Sequence, residues 1–207
     1  MAHILHIDAS PRGERSVSRM LSREFVAAWK QRHPEDTVTY RDVGREPVPH
    51  VDEPWIAAAF SPPDSHTPAL REAIRVSDAL VAEFLAADRY VLGVPMHNFS
   101  IPSTLKAYID QIVRVGRTFE RLDNGFKGLV SGKKLLVIAA RGGAYRPGMA
   151  TNRLDYQEPY LRTMFGFMGI VDISFIYAEN LMSAEEACRE QSLAEAREAI
   201  RQAVETW

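Results

Sequence analysis

Residues 89–102 read Arg-Tyr-Val-Leu-Gly-Val-Pro-Met-His-Asn-Phe-Ser-Ile-Pro. Arg89 to Val94 is apolar along almost its whole length, the pattern of a strand covered on both faces. The next eight residues, Pro95 to Pro102, show no period and end on a proline suited to a helix's first turn. From Ile101 to Val115 the apolar residues fall at Ile101, Leu105, Tyr108, Ile109, Ile112 and Val113, which is helical spacing. A buried strand, a short loop and an amphipathic helix make up much of a βαβ unit, and such units build parallel sheets.

The rest of the chain repeats this alternation. Lys134 to Ala140 is a second continuous apolar strand, and His3–Asp8, Thr37–Val43 and Asp172–Ala178 are shorter candidates. Helical periods run over Ser16–His33, Pro68–Ala87 and Tyr156–Met168. A final helix spans Ser183–Thr206, with Ser183 and Glu186 spaced as a capping box. Glu46–Ser65 carries five prolines and reads as an irregular excursion, with one helical turn at Trp55–Phe60. Thr118–Lys133 reads as a connection rich in glycine and charge. Five strands, each followed by a helix, predict an α/β fold. The expectation is a three-layer sandwich with the flavodoxin-like strand order 2-1-3-4-5, formed by one domain over residues 1–207.

Composition narrows the function. The chain has 207 residues, 46% hydrophobic and 25% charged, with a net charge of 25 − 27 = −2. This excludes a disordered or disulfide-rich chain, and argues against nucleic acid or a membrane surface as an electrostatic partner. One cysteine, Cys188, allows no intrachain disulfide or multi-cysteine metal site, and on the last helix it reads as a small packing residue. His3 and His6 fall on opposite faces of a strand and make poor joint metal ligands. No apolar run approaches the ~20 residues that span a bilayer, and the first residues are too interrupted for a signal peptide. A cytoplasmic protein is expected.

In a doubly wound sheet, ligands bind outside the carboxyl ends of the central strands. Three loops fall there. The first, Ala9 to Ser18, sets the hydroxyls of Ser10, Ser16 and Ser18 around a helix start, where N–H groups attract anions; Ser16 also reads as a plain N-cap. It has neither the glycine pattern of a dinucleotide site nor a P-loop lysine, which favours a single terminal phosphate. The second, Met96-His97-Asn98-Phe99, mixes soft apolar surface with polar edges and suits a planar heteroaromatic ring, or else tucks Met96 and Phe99 into the core. The third, Ala140-Arg141-Gly142-Gly143, lets backbone approach a ligand or forms an ordinary turn. Arg141 reads equally as a phosphate contact or a surface residue. His97 is the one side chain of the ring-facing loop able to exchange a proton near neutral pH.

Taken together, Ser10 with Ser16-Val17-Ser18, Pro95-Met96-His97-Asn98-Phe99 and Ala140-Arg141-Gly142-Gly143 resemble the FMN-dependent NADH-azoreductases, which are flavodoxin-like NAD(P)H quinone reductases. Leu129 to Lys134 and Phe165 to Ile170 extend the resemblance over essentially the whole chain. It implies bound FMN, with its phosphate near Ser10, Ser16, Val17 and Ser18. The ring would lie against Met96, His97, Asn98 and Phe99 and against Ala140, Arg141, Gly142 and Gly143. It also implies NADH or NADPH as electron donor, a quinone or azo compound as acceptor in ping-pong order, and a homodimer with sites at the subunit interface; the alternative reading is a flavodoxin-like electron carrier or FMN-binding regulatory module without its own substrate. Position 97 is tyrosine in some members of that family and histidine here. The apolar segment Met164–Met168 is the expected interface patch.

Overall fold

A computed structural model describes residues 1–207. Along the chain, β1 (His3–Asp8) leads to α1 (Val17–Arg32), β2 (Thr37–Asp42), α2 (Glu53–Ala59), α3 (Pro68–Ala86), β3 (Arg89–Pro95) and α4 (Ser103–Ile112). Then come β4 (Phe119–Leu122), β5 (Gly125–Gly128), β6 (Lys134–Ala140), α5 (Gln157–Phe167), β7 (Asp172–Ala178) and α6 (Glu186–Thr206). The five strands expected from the sequence form one parallel sheet, ordered β2-β1-β3-β6-β7.

Helices cover both faces because alternate strand residues are apolar on both. Leu5, Leu92 and Val137 point toward α3, α4 and α5, where they meet Phe84, Leu105 and Phe165. Ile4, Val91 and Leu136 point the other way, onto Phe25 and Trp29 of α1 and Ile200 of α6. The two clusters flank the sheet, and the loops at its carboxyl edge are left free to build a site.

The strand numbering departs from 2-1-3-4-5 because the presumed connection Thr118–Lys133 contains a separate antiparallel hairpin, β4–β5. Asp123 and Asn124 form its two-residue loop, followed by Gly125 at φ +140°. The hairpin rests on the turn after α5. A side chain at Gly128 would put its Cβ 2.2 Å from the Gly169 nitrogen, so glycine is what permits the approach.

Other expectations need correction. No capping box forms at Ser183: α6 begins at Glu186, and the Ser183 hydroxyl accepts from Glu185 N instead. The turn expected at Trp55–Phe60 is part of α2, which starts earlier, is capped by Asp52 and ends at Ala59 with Phe60 as its C-cap. Pro102 sits at the N-cap of α4 rather than in its first turn. Cys188 is half-buried outside the core, with its thiol donating to the Glu185 carboxylate, which raises its pKa. Met164–Met168 is not an exposed patch, because Phe165 and Met168 face inward and are fully buried. Only Phe167 turns outward from that segment into an aromatic cluster, its ring 4.6 Å from Phe119 and 5.3 Å from Phe126.

Candidate functional site

A cleft of about 410 Å3 opens at the carboxyl ends of β1, β3 and β6. Ser10, Ser16 and Val17 border one end, Met96 and His97 the middle, and Ala140, Arg141 and Gly142 the far wall. The three loops singled out in the sequence therefore do converge.

The first loop is anchored from beneath. Arg19 of α1 is buried, and its Nε and Nη2 both donate to the Ser10 carbonyl, at 2.8 and 2.5 Å. Its Nη1 donates to Asp42 at 2.7 Å and to the Tyr40 hydroxyl at 2.9 Å. Burial pulls the guanidinium pKa down, but the hydrogen-bonded Asp42 carboxylate more than restores it and leaves it raised. Behind it lies Asp8, fully buried, accepting from Ser22 at 2.8 Å and Tyr40 at 3.0 Å. Burial pushes the Asp8 carboxyl up, yet His6 and these two hydroxyls outweigh burial and hold it below the usual carboxylate range.

Ser16 accepts from Arg19 N at 3.4 Å and so does cap α1, while its hydroxyl lies 3.2 Å from that of Ser18. Ser18 is wholly buried behind Ser16 and does not border the cleft. The first N–H groups of α1, Val17 and Ser18, have no carbonyl partner. Sequence reasoning missed the charge beside them: Arg12 and Arg15 also line this end, and Arg189 of α6 borders the same cleft. Arg12 and Arg15 stood in the quoted loop, where arginines before a helix start already signalled anion binding. Arg189 had no local signal.

The second loop is a strained turn. Asn98 and Phe99 have φ of +47° and +69°, the left-handed region that costs a non-glycine residue about 1–2 kcal/mol. Reciprocal hydrogen bonds between His97 and Ser100, at 2.9 and 3.0 Å, lock it, and Tyr156 N donates to the Phe99 carbonyl at 2.9 Å. Met96 is half-buried, and His97, Asn98 and Phe99 are exposed, so the turn is not core packing. His97 borders the cleft; Asn98 and Phe99 do not, Asn98 facing a second hollow beside α4 and Phe99 lying against Tyr145.

The third loop presents donors. Gly142 and Gly143 accept through their carbonyls from Met182 N and Asn180 N, while their own N–H groups have no partner in the chain. Gly142 borders the cleft and Gly143 does not. Arg141 departs from both sequence readings: it borders the cleft, but its guanidinium is fully buried among Asp155, Gln157 and Glu179. No group of histidine, cysteine and acidic side chains is placed to hold a metal ion, and no helix is long and apolar enough to cross a membrane.

A family model described as flavodoxin-like fold matches residues 2–204. The chain belongs to that family. Among its relatives is the FMN-dependent NADH:quinone oxidoreductase 2 of Trichormus variabilis, 66% identical over the full length of both chains. The FMN-dependent NADH:quinone oxidoreductase 3 of Pseudomonas aeruginosa is 47% identical, over 100% of this chain and 94% of that one. Two solved family structures superpose over nearly every residue. The azoreductase AzrA does so with TM-score 0.92 at 31% identity, covering 100% of both chains. An FMN-dependent NADH-azoreductase of Bacillus anthracis, solved in complex with FMN, gives 0.87 at 27%, covering 99% of this chain and 100% of its own.

The strain in the second loop is testable without a ligand. Asn tolerates the left-handed region better than Ala, and Gly better than either. Asn98→Ala is expected to lower the melting temperature by roughly 2–4 °C, the usual shift for about 1 kcal/mol in a chain this long. Asn98→Gly should leave it unchanged or raise it slightly. Equal losses for both, by thermal denaturation, would mean that the Asn98 side chain matters rather than its backbone.

Proposed function

We propose that this chain is an FMN-dependent NADH:quinone oxidoreductase, able to pass two electrons to quinones or azo compounds. The observation that carries this reading is the polarity of the cleft. Arg12, Arg15, the Ser10 and Ser16 hydroxyls and the α1 N-terminus gather at one end. Half-buried Met96 lies in the middle, and the free N–H of Gly142 stands at the other end. That donor set fits a phosphate joined through a polar tether to a planar ring, and about 410 Å3 is an ordinary ligand-pocket size.

FMN, when bound, supplies hydride-accepting and two-electron-donating chemistry. The chain's own residues do the rest. Arg12 and Arg15 neutralise a phosphate that hydroxyls and the helix end orient. The N–H of Gly142, unpartnered at the cleft wall, would supply a preorganised donor to negative charge that develops on a ring bound there. His97, exposed at the rim, can hold a proton at a ring nitrogen beside the bound acceptor, while solvent reaches the same place. If donor and acceptor take turns in one cleft, they exclude one another.

The purified protein should accordingly show flavin absorption bands that NADH bleaches without air and a quinone restores. Initial rates should give parallel double-reciprocal lines. Intersecting lines, or a protein that takes up no flavin, would overturn the reading.

The phosphate end has its own test. Losing two charge-assisted contacts of about 1.5 kcal/mol each weakens binding roughly 10²-fold. Arg12→Ala with Arg15→Ala should do this to FMN and leave riboflavin, which lacks the phosphate, almost unchanged. Equal losses in titrations of both ligands would place the phosphate elsewhere.

We further propose a homodimer, with the interface moved from Met164–Met168 to the face that carries Phe119, Phe126 and Phe167. Phe126 and Phe60 are 61% and 73% exposed there, beside a groove of about 1230 Å3, and grouped exposed aromatics mark interfaces. Light scattering should give about twice the 23.3 kDa chain mass. Phe126→Glu should return it to one chain; a wild-type monomer would refute the assignment.

A further inference from the structure

Arg141 follows β6 directly, yet its side chain turns away from the cleft. Its Nε donates to Gln157 Oε1 at 2.9 Å and its Nη1 to Glu179 Oε1 at 3.4 Å. Its Nη2 lies 3.0 Å from an Asp155 carboxylate oxygen, an ion pair whose angles fall short of a hydrogen bond. The guanidinium also stands 4.7 Å from the centre of the Tyr177 ring. The arginine side chain is 0% exposed, and those of Asp155 and Glu179 are 4% and 1% exposed.

Each partner belongs to a different segment near the cleft. Asp155 accepts from Gln157 N and Glu158 N, at 2.9 and 3.1 Å, and so starts α5. Glu179, just past β7, accepts from Tyr145 N at 2.7 Å and pairs with the half-exposed Arg146 at 2.9 Å. Three backbone bonds complete the clamp: Leu181 N to Arg141 O, Met182 N to Gly142 O and Asn180 N to Gly143 O. Every carbonyl from Arg141 to Gly143 is thereby bonded, while the N–H groups of Gly142 and Gly143 have no partner in the chain.

Stability alone is a poor reason for this arrangement. Burying a guanidinium with carboxylates is often no better than packing apolar side chains in the same volume. What the ion pairs add is a fixed geometry for three segments that have no regular hydrogen-bond ladder between them. We propose that Arg141 is a positioning residue: through Asp155, Glu179 and Gln157 it fixes the Gly142–Gly143 segment and so where Gly142 presents its N–H to the flavin ring. The role rests on the flavin reading of the cleft and goes beyond it, because the sequence placed Arg141 at the ligand or the surface.

The experiment is Arg141→Lys in the full chain, with and without FMN. Lysine keeps the charge but cannot span three partners. Without FMN, amide hydrogen exchange at Tyr145 and at Asn180 to Met182, whose N–H groups are bonded to or within this clamp, should rise about tenfold or more, since opening free energy sets exchange. FMN and riboflavin affinities should fall together, about tenfold, so that their ratio is kept. The potential of the bound flavin should become more negative as donors to the reduced ring are misplaced. A folded variant with wild-type exchange and wild-type affinities overturns the proposal, as does a loss confined to FMN, which would tie Arg141 to the phosphate. If Arg141→Lys does not fold, Glu179→Gln removes one charge while keeping an acceptor for Tyr145 N, and the same measurements decide. A wild-type chain that takes up no flavin sinks the flavin reading and Arg141's role toward a ring. Raised exchange would still show the clamp, so the two failures are distinguishable.

Discussion

Two buried guanidiniums hold the site, one beneath each outer loop. Arg19 grips the Ser10 carbonyl while pairing with Asp42, and Arg141 ties the glycine loop to the starts of the neighbouring segments. A buried charge left without its partner costs several kcal/mol, so neither loop can drift without breaking its pair. The sheet makes room for the first anchor. At Gly93 of β3 a Cβ would lie 2.2 Å from Asp8 Oδ1, and at Gly44 it would lie 2.3 Å from the Ser10 carbonyl oxygen. Glycine at both places lets the network and the loop it supports share one small volume.

The anchors also decide which groups face the cleft. Arg19 occupies the Ser10 carbonyl, and backbone amides of the segment after β7 occupy those of Arg141, Gly142 and Gly143. With acceptors consumed from behind, the N–H groups of Val17, Ser18, Gly142 and Gly143 are left without partners in the chain. Of these residues Val17 and Gly142 border the cleft, so it offers backbone donors on two sides before any side chain is counted. It suits a ligand with a fixed anion at one end and a ring that gains negative charge at the other.

Much of this could be read from the sequence. The continuous runs Arg89–Val94 and Lys134–Ala140 have one physical meaning in a soluble chain, and they located both the sheet and the loops that converge. What escaped depends on long-range partners. The hairpin β4–β5 pairs only with itself and carries exposed, charged residues, so it has no apolar alternation, although Asp123-Asn124-Gly125 was a turn signal. The inward turn of Arg141 depends on Asp155 and Glu179, residues 14 and 38 positions away, which no local pattern connects to it. The left-handed turn at Asn98-Phe99 lacks the glycine that would have announced it. The segment Met164–Met168 was legible in part: its i, i+3 pair Phe165 and Met168 has the spacing of a buried helical stripe, which leaves Phe167 as the outward residue.

Net charge is a poor guide to this site for the same reason. A chain at −2 looks indifferent to anions, yet many of its acids are spent in pairs, among them Glu14 with Arg23, Glu83 with Arg41, Asp42 with Arg19 and Asp155 with Arg141. Arg12 and Arg15 have no ion-pair partner, and Arg189 donates only to the Ser183 carbonyl, at 2.6 Å. All three border the cleft. Within a Debye length of about 8 Å the field is set by these unpaired charges and by the helix end, not by the sum over the surface. The locally basic end and the globally neutral chain are therefore compatible. They favour a small anion taken into a cleft over the extended, charge-matched docking that a carrier of single electrons between proteins would need.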